Sequence, residues 1–282
     1  MKIIDGRKRA DEILAGLKKE IKDKNLRPGL GIILVGAEPS SCLYVKVKET
    51  AAKKIGVRVR KQILSGRAPE SEILEVIESF NRDAQIDGIL VQLPLPKEIP
   101  TDKIIRSIEP NKDVDGFLPE SRFDSPFIAA IWQALKVSGE NLKGKKILAL
   151  VKSDIFGQRL TGFLSRKGLC CDYTICQKPQ DCPAALKIAD IVITALGQPG
   201  FINAAMVNDG AVLIDGGTTR QGDKTIGDID AESVSRKAKW LAPSPGGVGP
   251  ITVALLLRNV VLAYFLGACP FGAGRKRAAG VK

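Results

Sequence analysis

The chain has 282 residues, 44% apolar and 26% charged, so it is long enough for about two globular domains and is neither a peptide hormone nor a disulfide-stapled miniature domain. It carries 43 lysines and arginines against 31 acidic residues, and the net charge of +12 favours anionic partners such as phosphates, polycarboxylates or nucleic acid. It contains no histidine, which excludes Ser-His-Asp triads, histidine zinc sites and imidazole proton transfer. Proton transfer must therefore use Lys, Tyr, Asp, Glu or Cys.

The six cysteines form no CxxC pair, and we expect them to be reduced thiols. The first residues lack the apolar run of a signal peptide. No stretch approaches the roughly 20 apolar residues that a membrane span needs. These features predict a soluble, cytoplasmic protein.

Hydrophobic periodicity predicts an α/β fold, because apolar strands alternate with amphipathic helices along the chain. The predicted helices cover residues 10–24, 41–55, 70–82, 126–138 and 250–266. The predicted strands cover residues 30–35, 57–64, 88–93, 146–151, 170–176, 190–195 and 211–215, with helices also expected between the last four. The second half has the composition of a Rossmann-type parallel sheet.

Two candidate sites follow predicted strands of the first half. Tyr44 and Lys48 share a face of one predicted helix, and a desolvated lysine can exchange protons near neutral pH. The alternative is an ordinary Tyr-Lys stack on the surface. Gln92 is the polar residue within the apolar segment 89–96. A buried amide either bonds to the backbone or points at a ligand or a neighbouring lysine.

Two loops are further candidates. Asp113 and Asp115 flank Val114, and a loop carboxylate can accept two N–H bonds from a heterocycle. The same residues also suit a turn or a fragment of a calcium loop, but no completing ligands follow, so no metal is expected. The segment 243–250 is rich in glycine and proline and enters the last predicted helix, so it either lets the backbone approach a ligand or forms a stiff hinge.

The order of these motifs resembles one family. They are Tyr-xxx-Lys at 44–48, Val-Gln-Leu-Pro-Leu-Pro at 91–96, Lys-Asp-Val-Asp-Gly at 112–116 and Pro-Gly-Gly-Val-Gly-Pro at 245–250. The chain is similar to the bifunctional methylenetetrahydrofolate dehydrogenase/methenyltetrahydrofolate cyclohydrolases over about residues 1–267. The resemblance implies oxidation of methylenetetrahydrofolate with NADP, followed by hydrolysis of the methenyl product to 10-formyltetrahydrofolate.

The resemblance also implies an organisation and a set of roles. Two α/β domains would flank a cleft: a folate-binding catalytic domain over 1–123 joined by the helix 251–267, and a Rossmann-type NADP-binding domain over 124–250, followed by a basic tail over 268–282. Lys48 would be the catalytic lysine, held and tuned by Gln92. Tyr44 would pack on the aminobenzoate ring, and Asp115 would anchor the pterin. The implied folate-binding residues are Tyr44, Val45, Lys46, Val47, Lys48, Val91, Gln92, Leu93, Asp115, Pro245, Gly246, Gly247, Val248 and Gly249.

The dinucleotide turn departs from the family pattern of Gly-Arg-Ser followed by Val-Gly-x-Pro, since residues 151–159 read Val-Lys-Ser-Asp-Ile-Phe-Gly-Gln-Arg. A β-branched Val151 is expected to block the cofactor or to strain the turn. Lys152 and Lys178, in contrast, bring positive charge suited to the 2′-phosphate of NADP. The expected cofactor-binding residues are Val151, Lys152, Ser153, Ile155, Lys178 and Thr218. The alternative is a cyclohydrolase whose dehydrogenase activity is weakened or lost.

A basic nucleic-acid-binding protein is a second alternative, given the net charge of +12. Only 5% of the residues are aromatic, however, and no nucleic-acid-binding motif is recognised. The most concentrated basic run lies within residues 272–282. The family resemblance implies a homodimeric folate enzyme, and we expect no membrane partner and no specific nucleic-acid partner.

Overall fold

The computed structural model describes residues 1–177, 182, 184–222 and 224–268. The helices are α1 (Gly6–Asp23), α2 (Pro39–Ile55), α3 (Glu70–Arg82), α4 (Thr101–Arg106), α5 (Pro126–Val137), α6 (Asp154–Arg166) and α7 (Val248–Ala268). The strands are β1 (Lys2–Ile3), β2 (Gly29–Val35), β3 (Arg58–Leu64), β4 (Gly88–Val91), β5 (Ile147–Val151), β6 (Cys171–Ile175), β7 (Ile191–Ala195), β8 (Val212–Asp215), β9 (Thr219–Gln221), β10 (Lys224–Ile226) and β11 (Trp240–Ala242). The predicted α/β class is confirmed.

The chain divides into two compact units. The first unit contains Met1–Asp11 and Phe127–Thr252, and the second contains Glu12–Pro126 together with the chain from Val253. The sequence predicts that residues 1–11 belong with residues 12–123, but in the structure they belong to the first unit. The reason is that β1 pairs in parallel with β11, with Lys2 opposite Trp240, so the first residues join the sheet of the first unit.

The first unit is built on a six-stranded sheet in the order β1-β11-β8-β7-β5-β6, with every neighbouring pair parallel. Its inner strands β5, β7 and β8 are apolar and almost fully buried, as expected for parallel strands that are covered on both faces. In parallel sheets of this kind ligands bind beyond the carboxyl ends of the strands. The relevant residues are therefore those that follow β5, β6, β7 and β8.

The second unit is built on a smaller parallel sheet in the order β3-β2-β4. Helix α3 shows why the sequence folds against it, because Ile73, Ile77 and Phe80 recur at helical spacing and are all buried. The residues that follow β2 and β4 lie at the same edge of this sheet, since both strands run parallel to each other. Tyr44, Lys48 and Gln92 come from these two connections.

Two of the helices predicted in the first unit do not occur among the residues that the structure describes. The connection between β7 and β8 contains only a short 3-10 turn at Ala204–Met206, and the described part of the connection between β6 and β7 contains only Ala184–Ile188. The first of these connections begins with Gly197 and Gly200, whose positive φ angles of 69° and 63° are incompatible with a right-handed helix. Helix α6 between β5 and β6 is confirmed.

Helix α7 corrects the expectation that no stretch of the chain approaches the length of an apolar membrane span. Its residues Val248–Gly267 form a 20-residue helix that is long and apolar enough to cross a membrane. Of its most apolar stretch 61% is buried inside the protein, which is the pattern of a helix in a protein core. Length and composition alone are therefore weak support for a membrane span here. Most of the predicted basic tail, residues 269–282, lies outside the described residues.

Candidate active site

Helix α2 carries the first pair of candidate residues. It begins after a tight turn at Gly36, whose φ is 85°, and its first turn is capped by Glu38, whose carboxylate accepts hydrogen bonds from the N–H groups of Ser40 and Ser41. Burial along α2 follows one stripe that includes Lys48, which is half-buried, whereas Tyr44 is 39% exposed. The cap therefore sets the start of a helix that turns its lysine toward the sheet and leaves the tyrosine ring accessible.

Lys48 and Gln92 form the centre of the site. The Lys48 ammonium donates a hydrogen bond of 3.0 Å to Oε1 of Gln92. The Gln92 amide nitrogen in turn donates to the carbonyl of Leu93 at 2.6 Å, which fixes which end of the amide faces the lysine. Gln92 is only 8% exposed. Of the two interpretations left open by the sequence, both hold, because one end of the amide bonds to backbone and the other to the neighbouring lysine.

Asp115 is held in place by its neighbours in the loop after α4. The buried carboxylate of Asp113 accepts the N–H of Leu118 at 2.8 Å, and Val114 is fully buried. Gly116 has a φ of 63°, and a Cβ at that position would lie 2.5 Å from the carbonyl oxygen of Phe123, so this turn requires glycine. Asp115 itself stays half-buried between these fixed residues.

Burial shifts the pKa values of Lys48 and Asp115, which lie in the same unit. Desolvation lowers the pKa of Lys48, and the negative charge of Asp115 opposes this effect without cancelling it. Desolvation also raises the pKa of Asp115 to about 6, with the Lys48 charge lowering it and Asp113 raising it further. The site therefore favours the neutral form of each group more than water does, which is the condition for proton exchange near neutral pH.

The other residues expected to bind folate from the second unit fall into two groups. Val45 and Val91 are 3% and 2% exposed, so their side chains belong to the core and not to a binding surface. Lys46 and Val47 are exposed, and Leu93 is half-buried. Helical and strand periodicity turns both side chains inward, so a contact of Val45 or Val91 with a ligand would be made by backbone groups.

The glycine-rich segment Pro245, Gly246, Gly247, Val248 and Gly249 belongs to the first unit and leads into α7. Gly246 has a φ of 107°, and its carbonyl accepts the N–H of Gly6 at 2.9 Å. A Cβ on Gly6 would lie 1.7 Å from the carbonyl oxygen of Gly247. The glycines thus allow close backbone contact with the start of α1, a structural role that sequence reasoning did not foresee.

Val151 at the dinucleotide turn is not strained. It is the last residue of β5, is fully buried and pairs with Ile175 of β6 and Ala195 of β7. Among the described residues other than glycine, a positive φ occurs only at Asn25. The predicted strain at Val151 is therefore wrong, because the residue continues an extended strand, where β-branched side chains are favoured.

The start of α6 follows directly, and its residues fit a phosphate-bearing ligand. Ser153 is the N-cap and accepts the N–H of Phe156 at 3.4 Å, while Lys152 and Ile155 are exposed. The first N–H groups of a helix attract anions, and the Lys152 ammonium adds positive charge beside them. Thr218 is exposed near Ser244, with 3.4 Å between the two hydroxyl oxygens. Lys178 lies outside the described residues.

Gly157 supports this turn by letting α6 approach β6. A Cβ at Gly157 would lie 2.3 Å from the ring of Tyr173, whose hydroxyl donates to the carboxylate of Asp154 in the first turn of α6. The amide of Gln158 also donates to Asp154, at 2.5 Å. The glycine of the turn therefore serves helix-sheet packing, the role of the third glycine of a dinucleotide fingerprint.

Replacing Gly157 by alanine is expected to lower the free energy of unfolding by roughly 1–3 kcal/mol, because the new methyl group overlaps the Tyr173 ring. A Cβ at Gly162, in the same helix, would have no atom of another element within 4 Å, so Gly162→Ala is the matched control and should stabilise by roughly 1 kcal/mol. Denaturant unfolding of both variants measures the difference. Equal stability of the two variants would contradict this packing account.

Asp215 and Asp228 are buried carboxylates that the sequence analysis missed. Asp215 ends β8 and accepts N–H bonds from Gly217, Asp228 and Ile229, each at 3.0 Å. Asp228 accepts the N–H of Leu196 at 2.7 Å. Burial raises the pKa of Asp215 to about 7, with the nearby Asp228 charge adding to the effect. The two carboxylates tie together the loops after β7, β8 and β10, a long-range contact with no local sequence signal.

Comparisons with known proteins identify the family of the chain. Residues 4–115 match the family described as "Tetrahydrofolate dehydrogenase/cyclohydrolase, catalytic domain", and residues 126–266 match its "NAD(P)-binding domain". The bifunctional protein FolD of Halothermothrix orenii is 38% identical over 277 residues, covering 93% of this chain and 97% of the relative. That of Agathobacter rectalis is 40% identical over 275 residues, covering 93% and 98%.

Solved structures show the same relationship. The bifunctional enzyme FolD of Campylobacter jejuni superposes with a TM-score of 0.86 at 33% identity, covering 94% of this chain and 99% of the other. The methylenetetrahydrofolate dehydrogenase-cyclohydrolase of Trypanosoma brucei, solved with NADP and an inhibitor, gives 0.88 at 29% identity, covering 94% and 97%. The chain therefore belongs to the tetrahydrofolate dehydrogenase/cyclohydrolase family.

Proposed function

We propose that Lys48, Gln92, Asp115 and Tyr44 carry the folate chemistry of this enzyme. The enzyme oxidises methylenetetrahydrofolate to methenyltetrahydrofolate with NADP and hydrolyses the methenyl form to 10-formyltetrahydrofolate. The observation that carries the assignment is the 3.0 Å hydrogen bond between the Lys48 ammonium and the buried Gln92 amide, in a place where desolvation lowers the pKa of the lysine. In a chain without histidine, a lysine with a lowered pKa is one of the groups that can transfer a proton near neutral pH.

Binding of the pterin is assigned to Asp115. An ionised carboxylate can accept two parallel N–H bonds from the amino edge of the pterin, which fixes the orientation of the ring. Tyr44 is exposed enough to stack on the aminobenzoate ring. The exposed ammonium of Lys46 on the same helix suits the anionic glutamate end of a folate. Leu93 and the segment 245–249 complete the proposed set of binding residues.

Hydrolysis requires a base beside a cationic substrate. A fixed ammonium there would oppose the methenyl cation, so the neutral form of Lys48 is the productive one. Lys48 positions the water and accepts its proton as the oxygen bonds to the methenyl carbon. One of the two carbon-nitrogen bonds then breaks as the hydroxyl on this carbon loses its proton and becomes the formyl carbonyl. Of the two protons that the water supplied, one passes to the departing ring nitrogen and the other is released to the solvent, so Lys48 ends neutral. The amide of Gln92 holds the Lys48 nitrogen during both steps.

NADP binding is assigned to the described residues Val151, Lys152, Ser153, Ile155 and Thr218, together with Lys178. When bound, the nicotinamide accepts the hydride from the one-carbon bridge. Lys152 is exposed next to the start of α6, and the residues after β6, Cys176 and Gln177, include no acid that would select NAD. The extended conformation of Val151 removes backbone strain as a reason for expecting a lost dehydrogenase activity.

Separate assays of the two steps test this function. We expect methenyl formation from methylenetetrahydrofolate with a higher kcat/KM for NADP than for NAD, because Lys152 can pair with the 2′-phosphate. Hydrolysis of the methenyl form, followed without any dinucleotide, is expected to proceed as well. Hydrolysis without oxidation would instead support a cyclohydrolase alone. A higher kcat/KM with NAD would contradict the role of Lys152.

A cytoplasmic homodimer without a specific nucleic-acid partner is also proposed. Strand β3 lies at an edge of the three-stranded sheet, and its Ile63 is 59% exposed. An edge strand with an exposed apolar side chain is suited to pairing with a second copy of the chain. We expect sedimentation equilibrium to give twice the mass of one chain. A mass equal to that of a single chain at micromolar concentration would refute the dimer.

A further inference from the structure

We infer that Asn259, on helix α7, is a positioning residue for Asp115 and acts through the backbone of the loop that carries this carboxylate. The Asn259 side-chain amide donates hydrogen bonds to the carbonyl of Val114 at 2.9 Å and to the carbonyl of Asp124 at 3.1 Å. Val114 is the residue immediately before Asp115. The inference rests on the proposed role of Asp115 in folate binding.

The surroundings of Asn259 show that its amide is there for these two bonds. It is 2% exposed, and its α7 neighbours Leu256, Leu257 and Val260 are apolar and each at most 1% exposed. A polar side chain in such a place costs stability unless its hydrogen-bonding groups are satisfied. Both amide hydrogens have a carbonyl partner in the second unit, so the interaction is specific to this loop and this helix.

The bond from Asn259 to the carbonyl of Val114 affects the position of Asp115 because other contacts already fix the rest of the loop. The Val114 side chain is packed so closely against Gly88 that a Cβ there would lie 2.5 Å from its Cγ1. The Lys112 ammonium donates to the carbonyls of Phe80, Asn81 and Asp83, which anchors the start of the loop at the end of α3. The Asn259 bond adds the third anchor, at the peptide group that joins Val114 to Asp115.

The second bond of Asn259, to the carbonyl of Asp124, also holds the segment before α5. By accepting from the same amide, the carbonyl of Asp124 ties this segment to the loop of Asp115. Without the amide, the buried carbonyl of Val114 and the part-buried carbonyl of Asp124 would both lose this donor, and the loop would relax toward other partners or toward water. Displacement of a binding group by about 1 Å can cost about 100-fold in catalysis, so a loss of about tenfold in folate affinity is a moderate expectation.

Steady-state kinetics of Asn259→Leu tests the inference. Leucine has a similar volume but no donor, so we expect the KM for methylenetetrahydrofolate to rise about tenfold, with a smaller change in kcat. The KM for NADP should stay within about twofold, because no contact to the proposed dinucleotide residues is removed. Asn259→Ser, which is too short to reach both carbonyls, should shift the folate KM in the same direction and serves if the leucine variant fails to fold.

Val260→Ala is the matched control, since it removes buried packing from the next residue of α7 and leaves both amide bonds intact. It should lower the unfolding temperature without raising the folate KM. A merely structural role of Asn259 predicts instead that its variants behave like Val260→Ala. An unchanged folate KM in folded Asn259→Ser would overturn the inference.

A double-mutant cycle separates this inference from the role of Asp115 itself. If Asn259 acts through Asp115, adding Asn259→Leu to Asp115→Asn should change the folate KM by less than about twofold. Full additivity of the two effects would contradict positioning through Asp115. If Asp115→Asn alone leaves the folate KM unchanged, the proposed role of Asp115 fails, and the inference fails with it.

Discussion

Replacement of Lys48 by methionine is expected to abolish hydrolysis of methenyltetrahydrofolate, lowering kcat by roughly 1000-fold or more. General acid-base catalysis contributes about 100-fold to 10000-fold, and here the same group also positions the water. Methionine fills a similar volume and needs no hydrogen bond, so the fold should be kept. Hydrolysis is measured from the disappearance of the methenyl form, and circular dichroism checks that the variant is folded.

Lys53→Met is the matched control for this substitution. Lys53 lies on the same helix α2, its side chain is 65% exposed, and it pairs with Glu49 on the surface. Removal of an exposed ion pair changes little, so this variant should hydrolyse the substrate at the rate of the unmodified enzyme. Hydrolysis at an unreduced rate by a folded Lys48→Met enzyme would refute the assignment of the base.

Replacement of Asp115 by asparagine is expected to raise the KM for folate about 100-fold and to remove a pH dependence. Because the pKa of Asp115 is raised to about 6, its carboxylate is ionised above that pH and protonated below it. The kcat/KM of the unmodified enzyme should therefore fall as the pH drops through about 6. The asparagine variant should be weak at every pH and show no such fall. The full pH profiles of both enzymes measure this.

The same substitution should stabilise the fold at alkaline pH. A carboxyl group whose pKa is higher in the folded than in the unfolded chain resists ionisation only in the folded state. Its penalty is absent below the ordinary pKa of 3.8 and complete above about 6, where it amounts to about 3 kcal/mol. Asparagine carries no charge, so Asp115→Asn should unfold at a higher temperature than the unmodified enzyme at pH 8. A variant that unfolds at a lower temperature at pH 8 would argue against the desolvation of Asp115.

The sequence predicted the elements with strong periodicity and the motifs that lie on them. Helix α3 and strand β5 were predicted within one residue of their observed bounds. The pairing of Lys48 with Gln92 was expected from the family resemblance, and the structure adds its geometry of 3.0 Å. Local patterns suffice in these cases because apolar spacing decides which face of an element is buried.

The sequence could not predict what depends on contacts between distant segments. Strand β1 has only two residues and exists because β11 lies beside it. Asp215 and Asp228 bind backbone groups from three separate loops, and Asn259 bonds to residues 145 and 135 positions away. At Val151 the general preference for glycine in such turns led to a wrong expectation of strain, because the strand continues through this position.

The protonation state of Lys48 is the quantity on which the account depends, and nuclear magnetic resonance titration of enzyme with labelled lysine side chains measures it directly. Comparison with Lys48→Met assigns the signal. We expect Lys48 to lose its proton at a pKa clearly below the ordinary value of a lysine, because burial disfavours its charge. A Lys48 signal that titrates at the ordinary lysine value would contradict this account.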